Sequence, residues 1–214
     1  MQLHADSTLV LACRHARVAD EWDGKIYGDL EVPLSPDGLA ASRDLPARLP
    51  PGLSLDAVIS SPLARARAGA DAVGEATGLS VIPEPDVREV HRASWRGLGW
   101  DEVGRQERDA YLAAPGSFRG HGGETMEELR ARATSAVRRH AASQAGGTIL
   151  VVAHRWACSS LALEALGAST DRILNLTLDP LGLSAFLVDP QGGFTMLCWN
   201  HPGRLPRLEP PSLT

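Results

Sequence analysis

Three short aliphatic runs stand out along the chain: Thr8 to Cys13, Asp56 to Ser60 and Thr148 to Ala153, none of which alternates between apolar and polar residues. A strand that is apolar on both faces has to be covered on both, so these runs predict strands of a parallel sheet packed between helices. The segments between them carry helical signals. Ser61-Pro62 predicts an N-cap with proline in the first helical position, and Gly78 a C-terminal cap, for a helix over Leu63 to Thr77. Thr125-Met-Glu-Glu128 predicts a capping box, after which Met126, Leu129, Ala133 and Val137 recur at helical spacing along an arginine-rich segment. A further helix is predicted from Trp156 to Leu166, stopped by Gly167. Leu183 to Val188 and Phe194 to Trp199 flank a Pro-Gln-Gly-Gly turn and predict a hairpin at a sheet edge.

This alternation predicts an α/β fold, a three-layer α/β/α sandwich with a mostly parallel central sheet, and places ligands beyond the carboxyl ends of its strands. The chain has 214 residues, 43% of them hydrophobic, enough to bury one substantial core. Residues 1–200 are read as a single domain. The proline-rich stretch 201–214 lacks periodicity and is read as an irregular C-terminal tail.

Charge and cysteine content narrow the choice of partners. A formal net charge of -5 offers no broad positive field, so neither nucleic acid nor a membrane surface is expected as a partner, and an anionic ligand must be gripped by local cations. Cys13, Cys158 and Cys198 are far apart and lack zinc-type spacing, which predicts buried free thiols in a reducing compartment. Met1 to Asp6 contain no basic region, and the apolar run ending at Cys13 is too short for a signal peptide core or a membrane span, which predicts a cytoplasmic location. Sequence does not decide between a monomer and a homodimer.

Each predicted strand ends in residues that a core rejects: Arg14-His15 after the first, Ser60-Ser61 with Arg65 beyond after the second, His154-Arg155 after the third. Singly, each has an ordinary explanation as a solvated turn, a helix face or a hydrogen-bonded structural histidine. Jointly, they place two imidazoles and two or more guanidinium groups at one edge of a sheet. The chain has no phosphate-binding Gly-x-x-x-x-Gly-Lys loop, no His-Glu-x-x-His helix, no Gly-x-Ser-x-Gly elbow and no dinucleotide fingerprint, and no cofactor is expected.

The run Cys13-Arg14-His15-Ala16 after a buried strand resembles the Arg-His-Gly hallmark of the histidine phosphatase superfamily, also called phosphoglycerate mutase-like. Further segments resemble that family in its own order: Gly28 to Gly38 with Pro33-Leu34-Ser35, Ser60-Ser61-Pro62-Leu63-Ala64-Arg65, Val87-Arg88-Glu89, Gly122-Gly123-Glu124-Thr125 and Val151-Val-Ala-His154. The resemblance implies a metal-independent phosphomonoester hydrolase in which His15 attacks phosphorus to form a phosphohistidine that water then cleaves. It assigns Arg14, His15, Arg65 and His154 to phosphate binding, with no metal, and Glu89 to general acid catalysis. Arginine suits this role because its planar fork binds two phosphate oxygens and stays charged. A carboxylate such as Glu89 also has an ordinary reading, a surface ion pair with Arg88 or Arg92.

Several positions depart from the family pattern. Ala16 replaces the usual glycine, Arg17-Val18 replaces Glu-Thr or Gln-Ser, His91-Arg92-Ala93-Ser94 replaces Phe-Gly, and Arg155 follows His154 where glycine or alanine is usual. Arg17 together with Tyr27-Gly28 and Trp95 to Glu102 is similar to the α-ribazole phosphatase branch. Candidate substrate contacts are therefore Arg17, Tyr27, His91, Arg92 and Arg155, whose cations would favour a substrate of greater negative charge. Trp22, Trp95, Trp100 and Trp156 are candidates for a flat wall or for the edge of a core. The resulting expectation is hydrolysis of a small-molecule phosphate ester: nucleotide-like, sugar or specialised-metabolite. Two alternatives stand beside it: a phosphoglycerate-type mutase, which the missing Arg-His-Gly-x-Ser-x-Trp-Asn run disfavours, and a phospholigand-binding regulatory module without turnover.

Overall fold

The computed structural model describes residues 6–203 and 205. Its sheet comprises β1 (Thr8–Arg14), β2 (Ala57–Ser60), β3 (Val81–Pro83), β4 (Thr148–Ala153), β5 (Leu183–Val188) and β6 (Phe194–His201). The spatial order is β3-β2-β4-β1-β5-β6, parallel from β3 to β1 and antiparallel across β5 and β6. Among the described residues six α-helices flank it: α1 (Pro36–Arg43), α2 (Leu45–Arg48), α3 (Ala64–Thr77), α4 (Arg105–Ala113), α5 (Met126–Ser143) and α6 (Arg155–Leu166).

The non-alternating strands have a simple physical cause. Successive side chains of a strand point to opposite faces, so Val10 and Ala12 of β1, with Ile149 and Val151 of β4, enter one core together with Leu129, Val137 and Leu161 of α5 and α6. Leu11 and Cys13, with Leu150 and Val152, enter the other against Leu45 of α2 and Ala66, Ala70 and Val73 of α3. The result is a helix layer on each side of the sheet. Phe186 of β5 is fully buried in the first of these cores.

The capping box forms as the sequence predicts: the Glu128 N–H donates to Thr125 Oγ1 at 3.1 Å, and the Thr125 N–H donates to Glu128 Oε2 at 2.9 Å. Gly78 and Gly167 close α3 and α6 in the left-handed conformation. The start of α3 differs from expectation. Its N-cap is Leu63, not Ser61, and Pro62 lies in the bend before the helix. Ser61 Oγ sits 2.7 Å from His154 Nε2 instead, while Glu31 Oε2 accepts from the Ala64 N–H at 3.2 Å and serves the helix end from a distant loop.

Two further corrections are small. β6 runs on to His201, into the stretch read as tail, because Leu183 pairs with His201 across β-bulges; the rest of that stretch lies mostly outside the described residues. Cys198 is only half-buried, unlike Cys13 and Cys158, because it sits on the edge strand. Among the described residues no helix is long and apolar enough to cross a membrane.

Removing the cap and emptying the core should be separable. By chemical denaturation, Thr125→Ala is expected to cost about 1 kcal/mol, whereas Phe186→Ala is expected to cost about 3–5 kcal/mol. Losses of equal size would contradict this division between helix end and core.

Candidate active site

The sheet register sets the site. Arg14 pairs with Ala153 across β1 and β4, Ser60 pairs with Val152 across β2 and β4, and the next residue of each strand leaves the sheet at the same edge. The ladder continues one step beyond the strands: the His15 N–H donates to the Ala153 carbonyl at 2.9 Å and the Ser61 N–H to the Val152 carbonyl at 3.0 Å. Leu181, with a left-handed φ of 56°, turns its N–H onto the Arg14 carbonyl at 3.1 Å and braces β1 from the other side. A leucine in that conformation is strained, and such strain collects next to functional groups.

The rings of His15 and His154 have centroids 5.2 Å apart, and both residues are almost wholly buried. His15 Nδ1 lies 2.7 Å from the carbonyl of Ala16. A carbonyl only accepts, so Nδ1 carries the proton and Nε2 keeps its lone pair. Burial, reinforced by Arg65 and then Arg14, holds the pKa of His15 well below its ordinary value; burial, Arg65 and His15 itself do the same to His154. His154 Nε2 is engaged by Ser61 Oγ, while its buried Nδ1 has no hydrogen-bond partner among the described residues. Ala16 is not among the described residues with positive φ, so alanine carries no conformational penalty there.

Arg65, on the first turn of α3, is also fully buried, and backbone carbonyls satisfy it rather than carboxylates. Its Nη1 donates to Leu30 O at 2.5 Å and its Nη2 to Gly28 O at 2.7 Å, leaving Nε without a partner. Gly28 is required: at φ 46°, a Cβ there would lie 2.6 Å from the carbonyl of Val90. Between the two carbonyls, Asp29 anchors the segment through Arg96, at 2.7 Å, and Arg88, at 3.0 Å. Burial pushes the Asp29 carboxyl up, but hydrogen bonds from Arg96 and His91 outweigh it and hold its pKa below the usual carboxylate range. Arg14 follows the same pattern as Arg65, donating from Nη1 to Leu178 O at 2.5 Å with Nε unpartnered.

A cavity of about 690 Å³ opens at this edge, with Arg14, Tyr27 and Glu89 in its lining. His15, Arg65 and His154 do not line it; they lie behind that lining, where Tyr27 places its ring 6.5 Å from the His15 ring and 5.2 Å from the Arg65 guanidinium. Glu89 is buried and pairs with neither Arg88 nor Arg92. It accepts from the N–H groups of Val90 and Trp156, and burial keeps its pKa above the ordinary carboxylate value despite Val90 and Arg65. Trp22, Trp95, Trp100 and Trp156 all line the cavity.

The candidate substrate contacts divide. Tyr27, Arg17 and Arg155 line the cavity, but Arg17 is exposed and bound to Asp20 at 2.9 Å. Arg92 also lines it, yet its guanidinium turns inward, donating to Tyr111 Oη at 3.0 Å and lying beside His121, because an aromatic cluster encloses it. His91 does not line the cavity, contrary to expectation: it is drawn away to Asp29 at 3.1 Å. The residues that sequence reading overlooked are Ser61 as partner of His154, the Ala16 carbonyl, and Tyr111 and Leu112 of α4, which close the aromatic wall. A serine at a strand end is a readable signal; a backbone carbonyl leaves none.

Comparison with known proteins gives the family and the fold. The family model "Histidine phosphatase superfamily (branch 1)" matches residues 10–202. The chain is 28% identical over 194 residues to a metal-independent phosphoserine phosphatase of Arabidopsis thaliana, covering 86% of this chain and 79% of that protein. Its fold superposes on the α-ribazole phosphatase of Shigella flexneri with a TM-score of 0.80 at 22% identity, covering 94% and 100% of the two chains. It also superposes on a mycobacterial glucosyl-3-phosphoglycerate phosphatase, with a TM-score of 0.78 at 23% identity and coverage of 91% and 99%. With the strand-edge histidines, the buried arginines and a family match along nearly the whole chain, the protein belongs to the histidine phosphatase superfamily (branch 1) and is a phosphoric monoester hydrolase.

Proposed function

We propose that the protein hydrolyses a small-molecule phosphate monoester through a phosphohistidine on His15, without a metal ion. The observation that carries this reading is the buried pair of imidazoles, centroids 5.2 Å apart, beside two guanidinium groups that donate to backbone carbonyls and pair with no carboxylate among the described residues. A relative named as a metal-independent phosphoserine phosphatase supports it. Ala16, free of positive φ, removes one ground for a member without turnover.

In this scheme Arg14, Arg65 and His154 hold the phosphoryl oxygens and stabilise the charge that spreads over them in the loose transition state. Their unpartnered donors, Arg14 Nε, Arg65 Nε and His154 Nδ1, are the groups left for an anion. Nε2 of His15 forms a bond to phosphorus as the bond to the leaving oxygen breaks, and Glu89 gives that oxygen its proton. Glu89, now a carboxylate, takes a proton from water; the water oxygen attacks phosphorus, the N–P bond breaks, and inorganic phosphate leaves with His15 neutral again. The anion also shifts His154 toward its protonated form.

His15→Ala is expected to lower kcat/KM by roughly a thousandfold or more and to abolish the acid-labile, base-stable phosphoenzyme seen when wild type is quenched with a radiolabelled ester. A loss below tenfold would refute the nucleophile.

The pH profile follows from Glu89 and His15. Glu89 acts when protonated, so activity is full below its raised pKa and falls as pH increases through it; neutral His15 is lost only well below the usual imidazole range near 6.5. Glu89→Gln should remove the falling alkaline limb and cost about a hundredfold or more on an alkyl phosphate, but far less on p-nitrophenyl phosphate, whose leaving group needs no proton. Equal losses on the two esters would sink that role.

Activity should survive exhaustive chelation and be inhibited by vanadate, which mimics the transferring group. Loss of turnover on chelation, restored by magnesium, would overturn the metal-free scheme.

A further inference from the structure

The cations around the cavity are not equivalent. Arg17 is committed to Asp20 and Asp23, Lys25 lies 5.6 Å over the ring of Trp22, and Arg92 is tied to Tyr111. Arg14 stands beside the histidine pair. Arg155 lines the cavity and, like Arg14, Lys25 and Arg92, forms no ion pair among the described residues; what distinguishes it is a buried, partly unmet fork on the aromatic wall, away from the histidine pair. Its guanidinium is stacked 4.2 Å from the Trp156 ring centre, Nη2 donates to Leu176 O at 3.3 Å, and its buried Nε has no hydrogen-bond partner among the described residues.

The helix end and the surrounding charge disfavour an arginine at this position, against which stand the stacking on Trp156 and one hydrogen bond to Leu176 O. Arg155 is the first residue of α6, at the positive end of the helix dipole, where a cation is unfavourable. Burial and the neighbouring charge of Arg14 both act against its protonated form. A guanidinium kept charged, partly desolvated and without an ion-pair partner among the described residues at a cavity wall is suited to an anion that arrives with the ligand. The cavity, about 690 Å³, is far larger than a phosphate group needs, falls in the range of organic-ligand pockets, and is walled by Trp22, Trp100, Trp156, Tyr27 and Tyr111.

We propose that Arg155 is a specificity-determining residue: it binds a second anionic group carried on the flat, ring-bearing organic part of the substrate, while Arg14 and Arg65 hold the phosphate that is transferred. This rests on the hydrolase reading above and narrows it to phosphomonoesters that bear a ring and a further acidic group. Trp156, under the guanidinium, holds the fork in place and offers the ring a surface.

The test is steady-state kinetics on 3- and 4-carboxyphenyl phosphates, each against its neutral methyl ester, which keeps the ring and a similar leaving group but removes the second charge. For wild type, kcat/KM for at least one carboxylate should exceed that of its methyl ester by about tenfold or more, the factor that a charge-assisted hydrogen bond supplies. In Arg155→Gln that ratio should fall to near one, chiefly through KM, and Arg155→Lys should retain part of it. A wild-type enzyme indifferent to the carboxylate would overturn the proposal. So would an Arg155→Gln variant that slows both esters equally, since the residue would then belong to the grip on the transferred phosphate. If no ester is turned over in a His15-dependent manner, it is the hydrolase reading that fails, and this one with it.

Discussion

The arrangement turns on how two arginine side chains are buried. Removing a guanidinium from water costs several kcal/mol unless its donors are met, and the ordinary solution is a carboxylate. Here Arg65 is met by the carbonyls of Gly28 and Leu30, and Arg14 by that of Leu178. Dipoles satisfy donors without cancelling charge. Both groups therefore act on the histidines as unpaired cations, and the neutral state of the histidines is enforced by burial first and by those charges second. Asp29 also acts on Arg65 through space, yet it is occupied by Arg96 and Arg88, so this carboxylate holds the segment in place instead of pairing with Arg65.

Glu89 shows the same economy from the opposite side. It lies within reach of the field of Arg65 but accepts only backbone N–H groups, so desolvation prevails and its proton is held more tightly than in water. Two imidazoles that resist protonation and one carboxyl that resists ionisation thus share a single edge of the sheet. Each state follows from which partners are backbone and which are side chains.

Much of this was legible in the chain because it is local. Continuous aliphatic runs specify doubly covered strands, and the polar residues that end them are bound to emerge at one edge when the strands are parallel. Thr125 and Glu128 announced a helix start through a motif three residues long. What escaped was non-local or too polar to show a pattern: α4, Arg105–Ala113, has one buried residue, Tyr111, and no apolar stripe to read. Ser61 looked like a helix cap because sequence could not show that His154, far along the chain, competes for its hydroxyl. The candidate cations looked alike until the fold neutralised Arg17 with Asp20, turned Arg92 inward and drew His91 to Asp29.

The hydrogen bond from the His15 amide to the Ala153 carbonyl extends the β1/β4 ladder beyond the strands themselves. Neighbouring strands have a nearly invariant separation, close to 4.8 Å, so the distance between the two imidazole-bearing residues is inherited from main-chain geometry and owes little to which side chains surround it. Loops that wall the cavity are under no such tether. Divergence in those loops can therefore reshape the cavity wall while the two imidazole-bearing residues stay in alignment on the sheet.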